Sequence, residues 1–142
     1  MSDEPHTGGC QCGAIRFRVE GAFGGFYAPL VSVGGAAPTW TRGAPKHFAS
    51  SNFVVRGFCP ACGTPLTYEG PDGVALAIGA FDHPEVIVPG VQFGVEGKLP
   101  YVDGLAALPN RHTIEDIAAA PFLSDVVSNQ HPDHDTETWP PK

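Results

Sequence analysis

Two close pairs of cysteines constrain this chain more than any other feature of its sequence. Cys10 and Cys12 form a C-x-C pair, and Cys59 and Cys62 form a C-x-x-C pair followed by Gly63. Such short spacings let two thiolates face one metal ion, and Gly63 can take the positive φ that the second turn needs. Four thiolates from two chelating pairs are the usual ligands of a closed, structural zinc site. The sequence therefore predicts one structural Zn²⁺ bound by Cys10, Cys12, Cys59 and Cys62.

The separation of the two pairs distinguishes the predicted site from a small zinc finger. Between Cys12 and Cys59 lie 46 residues, which is longer than the roughly 12–20 residues of zinc fingers and ribbons. The ion would therefore join distant parts of one domain. Three alternatives remain open at this point: buried free thiols, disulfides, and an iron ion in the same tetrahedral sulfur geometry.

The composition indicates a turn-rich globular chain and excludes some classes of partner. Eighteen glycines and fifteen prolines among 142 residues favour short strands over long helices. A net charge of −7 with scattered basic residues argues against nucleic-acid binding. The sequence has no apolar run long enough for a transmembrane helix, and its first six residues are acidic and polar, unlike a signal peptide. Paired cysteines in such a chain favour a reducing compartment, so we expect a cytoplasmic protein.

Local patterns predict a mostly antiparallel β domain with one or two short helices. In residues 13–20, Ile15, Phe17 and Val19 alternate with Arg16, Arg18 and Glu20, as in a half-buried strand. Further strands are expected at residues 26–33, 39–41, 47–49, 53–58, 64–68, 74–80, 86–88 and 91–95, with turns at 42–45 and 70–73 and a break at Pro89. Thr113 is a suitable N-cap for a helix over residues 114–120. We expect two stacked or tented sheets rather than a closed barrel.

The predicted domain spans residues 9–125. Residues 1–8 are expected to be a flexible lead, and residues 126–142 a mobile polar tail. The tail histidines, His131 and His134, are expected to be solvated. Apolar strand edges, where they are exposed, favour a homodimer.

Four segments resemble the glutathione-dependent formaldehyde-activating enzyme family, which acts as carbon–sulfur lyases. They are residues 9–17 (GCQCGAIRF), 57–66 (GFCPACGTPL), 78–82 (IGAFD) and, more weakly, 98–103 (KLPYVD). The resemblance covers roughly residues 8–110. It implies a β-tent fold, a small thiol or glutathione adduct as ligand, and a structural zinc on Cys10, Cys12, Cys59 and Cys62.

The sequence departs from this family at the expected catalytic zinc. Enzymes of the family carry a further C-x-C-x-x-C cluster between the two motifs, whereas residues 24–35 here read GGFYAPLVSVGG. A catalytic zinc keeps three protein ligands, and phenylalanine, leucine and glycine side chains cannot supply them. The sequence therefore predicts a non-catalytic or altered small-molecule-binding module.

Alternatives to that reading concern the remaining polar and aromatic residues. One is an active lyase with another ligand set, for example His47, Asp82 and His83. His47 is more simply an edge-strand histidine, and His83 a turn residue. The aromatic side chains of Phe26, Tyr27 and Trp40 are expected in the core rather than around a ligand.

Overall fold

Antiparallel strands dominate the structure, a computed structural model that describes residues 4–21, 24–26, 30–33 and 37–140. The mainly β class predicted from the sequence is confirmed. The chain divides into two compact units, one of residues up to Phe93 together with those from Gln130, and one of Gly94–Asn129. No helix in the described ranges is long and apolar enough to span a bilayer.

Ten short strands build two sheets in the first unit, as far as the described residues show. In chain order, β1 to β10 are His6–Gly9, Arg16–Val19, Gly24–Phe26, Leu30–Ser32, Thr39–Arg42, Lys46–Ala49, Val55–Phe58, Pro65–Gly70, Gly73–Ala77 and Pro89–Val91. The smaller sheet has the order β1-β2-β5, and the larger has the order β10-β3-β4-β9-β8-β7-β6. Strand β10 runs parallel to β3, and every other neighbouring pair is antiparallel.

Two predicted turns have different roles in this topology. Gly70 lies opposite Gly73 in the β8–β9 hairpin, as predicted. Both strands predicted around residues 42–45 also form, but β5 belongs to the smaller sheet and β6 to the larger. The turn therefore carries the chain from one sheet to the other. Gly43 has a φ of 62° there, and a Cβ at this position would lie 2.5 Å from the carbonyl oxygen of Ala14.

Two predicted strands and one predicted break are corrected by the structure. Residues 26–33, predicted as one strand, contribute to two antiparallel strands, β3 and β4. Residues 84–86 form a 3₁₀ turn, and no strand spans 86–88. Pro89 was expected to separate two strands, but it is the first residue of β10. Proline is tolerated there because β10 is an edge strand, in which one row of N–H groups needs no partner.

The core of the first unit is centred on β2. The Phe17 ring is fully buried and makes edge-on contacts with Phe81 and Trp40, at ring-centroid distances of 5.1 and 6.0 Å. Ile15 and Val19 are buried on the same face, which confirms the predicted alternation on its apolar side. The prediction that the polar side chains of this strand face solvent is wrong at Arg16, which is only 2% exposed.

The second unit, Gly94–Asn129, consists of short 3₁₀ segments separated by turns. They are Val95–Gly97, Pro100–Ala107, Thr113–Asp116 and Pro121–Asp125. The predicted helix over 114–120 is therefore shortened to one 3₁₀ turn. Thr113 lies inside this turn, and the capping residue is His112, whose side chain makes no capping bond.

Candidate metal centre

The four cysteine sulfurs converge in the first unit. Their Sγ atoms all lie within 4.8 Å of one another, and no other group of His, Cys, Asp or Glu in the described ranges is gathered in this way. The Cys10–Cys12 sulfur distance is 3.6 Å and the Cys12–Cys59 distance is 3.9 Å. Four sulfurs at about 2.3 Å from one tetrahedral zinc ion would lie about 3.8 Å apart. The spacing therefore fits a shared ion, and it is too long for a disulfide bond of about 2.05 Å.

The first pair is presented by the turn that joins β1 to β2. Cys10 N–H donates to the Ile15 carbonyl at 3.0 Å, and Gly13 N–H donates to the Cys10 carbonyl at 3.1 Å. Ile15 N–H also donates to the Cys10 sulfur at 3.3 Å. Gly13 has a φ of 78°, which glycine adopts without steric cost. The backbone thus both directs and stabilises the Cys10 thiolate.

The second pair lies in the turn between β7 and β8, and backbone hydrogen bonds hold this turn as they hold the first. Gly63 N–H donates to the Cys59 carbonyl at 2.8 Å, and Cys59 N–H donates to the Thr64 carbonyl at 3.0 Å. Gly63 has a φ of 79°, which confirms the left-handed turn predicted after Cys62. The Thr64 hydroxyl lies 3.2 Å from the Cys62 sulfur.

The centre joins the two sheets. The C-x-C turn connects strands of the smaller sheet, and the C-x-x-C turn connects strands of the larger one. One direct bond already links the turns, because Gln11 N–H donates to Thr64 Oγ1 at 3.0 Å. An ion bound by both pairs would therefore fasten one sheet to the other.

The four thiols differ in their acidity. Burial raises the pKa of Cys10, Cys12 and Cys59 above the ordinary 9.0. Burial also acts to raise the pKa of Cys62, but hydrogen bonds from Thr64, together with those of the neighbouring Cys12 and Cys59, lower it to about 6. Metal binding requires thiolates, so an ion that binds here would displace protons chiefly from the three cysteines with a raised pKa.

Residues 130–140, here called the C-terminal strap, contact the C-x-C turn. His131 N–H donates to the Gln11 carbonyl at 2.7 Å, and the Trp139 indole donates to the Cys12 carbonyl at 2.6 Å. Arg42 bridges the two segments, because it donates to the Gly13 carbonyl at 3.2 Å and also to the Thr136 carbonyl. His131 is only 3% exposed, which corrects the expectation that it is solvated, while His134 is exposed as expected.

A buried ion pair lies beside the C-x-C turn. Arg16 donates to both carboxylate oxygens of Asp82, with Nη1 at 2.8 Å from Oδ1, and its Nε donates to Asp135 of the strap at 2.9 Å. Thr7 donates to Asp82 at 2.7 Å. Burial raises the pKa of Asp82, but the bonds from Arg16 and Thr7 outweigh it and lower the pKa below its ordinary value. Arg16, Asp82 and His131 line a cavity of about 250 Å³.

The alternative ligand set predicted from the sequence is not assembled. His47 is paired with Glu69 at 2.9 Å on the edge strand β6. Asp82 is engaged by Arg16, and the exposed His83 contacts Glu85 at 3.2 Å. These positions confirm the edge and turn interpretations of the two histidines. The structure also places Trp40 against the core, as predicted; nothing is described for Tyr27 or for the side chain of Phe26.

Sequence reasoning missed the residues that surround the cysteines. Arg42, His131 and Trp139 lie 29 to 127 residues from the groups they contact, and no local pattern marks them. Thr64 carried a weak signal, because it lies two residues after a predicted ligand.

The functional assignment of this centre depends on its own geometry. Comparisons with protein families, with curated proteins and with solved structures found no match for the chain.

Proposed function

We propose that the protein binds one structural zinc ion through Cys10, Cys12, Cys59 and Cys62, and that this ion joins its two sheets. The observation that carries the proposal is the convergence of four sulfurs within 4.8 Å from two sheets. Cysteines alone supply the ligands, and a closed four-thiolate set is typical of structural zinc. Iron is the competing ion, because it takes the same geometry.

We further propose that the protein is a divergent relative of the formaldehyde-activating carbon–sulfur lyases, with the β-tent fold that this resemblance implies and without their catalytic zinc. Support comes from the segment that would carry the catalytic ligands. Its Val31 and Val33 are buried in the core at 0% and 2% exposure, and Leu30–Ser32 pairs with β9. These two valines offer no metal ligand, which supports a non-catalytic module or one with altered ligand binding.

The cavity lined by Arg16, Asp82 and His131 is the candidate place for a small polar ligand of such a module. Its volume of about 250 Å³ suits a small molecule or fragment rather than a protein segment. A small thiol or glutathione adduct is the ligand class that the resemblance suggests. The cytoplasm, as a reducing compartment, suits four free thiols, and a homodimer stays a prediction.

Elemental analysis of untagged protein tests the metal proposal. We expect one zinc per chain, lost after substitution of any of the four cysteines. Stoichiometric iron, or two zinc ions per chain, would contradict it. An assay with formaldehyde, glutathione and added zinc tests the absence of catalysis, and a rate above the spontaneous reaction, absent from a heat-treated control, would contradict that part alone.

A further inference from the structure

The cysteine centre has one covered side and one open side. Cys10 and Cys59 are 1% and 0% exposed and Cys12 is half-buried, whereas Cys62 is exposed. All four sulfurs belong to one cluster, and Cys62 is its most exposed member.

The strap covers the C-x-C turn on one side. Besides the bonds from His131 and Trp139 to its carbonyls, the His131 ring lies so close that a Cβ on Gly13 would be 2.0 Å from its Cδ2 atom. The strap therefore packs directly on the Gly13 end of this turn.

The C-x-x-C turn is open by contrast. Pro60, Ala61, Cys62 and Gly63 are all exposed. A Cβ on Gly63 would meet no atom within 4 Å. The Cys62 sulfur contacts the Thr64 hydroxyl at 3.2 Å, and Cys62 is the exposed residue among the four cysteines.

We propose that Cys62 is a modification site of this centre, at which peroxides and soft electrophiles react before they reach the other cysteines. The proposal rests on the metal centre proposed above, and it adds which of the four cysteines reacts first. Exposed thiolates next to a second cysteine are the sites where oxidation begins. Cys59 is that second cysteine, because it lies in the same turn and its sulfur is within the cluster.

The reaction with a peroxide proceeds in two steps. The Cys62 thiolate attacks one peroxide oxygen, the O–O bond breaks, and the departing hydroxide takes a proton to become water. The Cys59 sulfur then attacks the sulfenic sulfur of Cys62, the S–S bond forms, the S–O bond breaks, and a second hydroxide leaves and is protonated. The two cysteines lose two electrons and the peroxide gains them. An ion held by the four cysteines would then have only Cys10 and Cys12 as ligands, so it would be released.

Mapping of modified cysteines in the wild-type metal-loaded protein tests this proposal. Metal is quantified first, and the protein is then treated with substoichiometric iodoacetamide or hydrogen peroxide. Trypsin separates the pairs, because residues 1–16 carry Cys10 and Cys12 while residues 57–98 carry Cys59 and Cys62. Fragmentation between Cys59 and Cys62 then assigns the label, and a chromogenic zinc dye follows release of the ion.

We expect alkylation of Cys62 to be about tenfold faster than that of any other cysteine. With peroxide, we expect a Cys59–Cys62 disulfide with one zinc released for each disulfide formed. The inference would be overturned if Cys10 or Cys12 were labelled first, if all four cysteines were labelled equally, or if a Cys10–Cys12 disulfide formed. Each of these results would leave the metal proposal intact. A protein that holds no ion before treatment would overturn both.

Discussion

The indole nitrogen of Trp139 donates a hydrogen bond to the carbonyl oxygen of Cys12 at 2.6 Å, across 127 residues of sequence. Through this bond the C-terminal strap stabilises the turn that carries two of the four candidate ligands. Groups around a metal site that hold its ligands in place commonly govern how fast the ion is lost.

Trp139→Phe is expected to speed transfer of zinc to a chelator, because phenylalanine keeps most of the apolar area but donates no hydrogen bond. One such bond is worth about 1 kcal/mol, so an increase of roughly fivefold is expected. The measurement is the rate of zinc appearance in a chromogenic chelator. Tyr101→Phe, at a 64% exposed aromatic residue of the second unit, is the matched control and should leave the rate unchanged; equal rates in all three proteins would contradict the role of the strap.

Cys62→Ser is expected to lower the melting temperature by about 10 °C or more, because the metal affinity of such sites contributes directly to folding. Differential scanning calorimetry with and without chelator measures the effect. In the wild type, chelator should reproduce most of the loss, whereas the variant should respond little. A variant that melts like the metal-loaded wild type would show that the centre does not stabilise the fold.

Asp82→Asn is expected to lower the free energy of unfolding by about 3–5 kcal/mol, because it leaves the buried guanidinium of Arg16 without its main countercharge. Urea unfolding at saturating zinc is the measurement. Glu20→Gln is the matched control, because it removes the carboxylate of the exposed Arg18–Glu20 pair, which is expected to contribute about 0–1 kcal/mol. Similar decreases in the free energy of unfolding in the two variants would contradict the importance of the buried pair.

Zinc binding at pH 7.5 is expected to release about three protons, since Cys10, Cys12 and Cys59 have a pKa above 9.0 and start as thiols. Cys62, with a pKa of about 6, is already mostly ionised. As the pH falls, protons compete with the ion at all four sulfurs, so the apparent affinity must decrease. Titration calorimetry in buffers of different ionisation enthalpy counts the protons, and release of one or none would contradict this assignment.

Acid should also destabilise the protein through Asp82, independently of zinc. The folded-state pKa of Asp82 is depressed, so its contribution is complete above the ordinary carboxyl range and is lost as the pH falls through the folded pKa. In metal-free protein, the stability difference between wild type and Asp82→Asn should therefore narrow on acidification. A difference that stays constant down to about pH 3 would contradict this linkage.

The sequence alone predicted the four candidate ligands and much of the local structure. Chelating pairs and the glycine after Cys62 are local patterns, because two or three residues suffice to turn one thiolate toward another. The period of two in β2 and the Gly70–Gly73 turn are also local, since each depends on neighbouring residues. The prediction of a single strand over residues 26–33 was wrong. Both halves of this segment favour β structure, and no clear turn motif marks the reversal between β3 and β4.

Only the tertiary structure decided what surrounds those ligands. Arg16 reads as a solvent-facing residue of an alternating strand, yet it is buried because Asp82 and Asp135 approach it from 66 and 119 residues away. The attachment of β5 and β6 to different sheets, and the contacts of His131 and Trp139 with the C-x-C turn, likewise depend on pairings over long separations. A chelating motif fixes which atoms can bind an ion, but burial, charge compensation and access to Cys62 depend on segments that the chain brings together only when it folds.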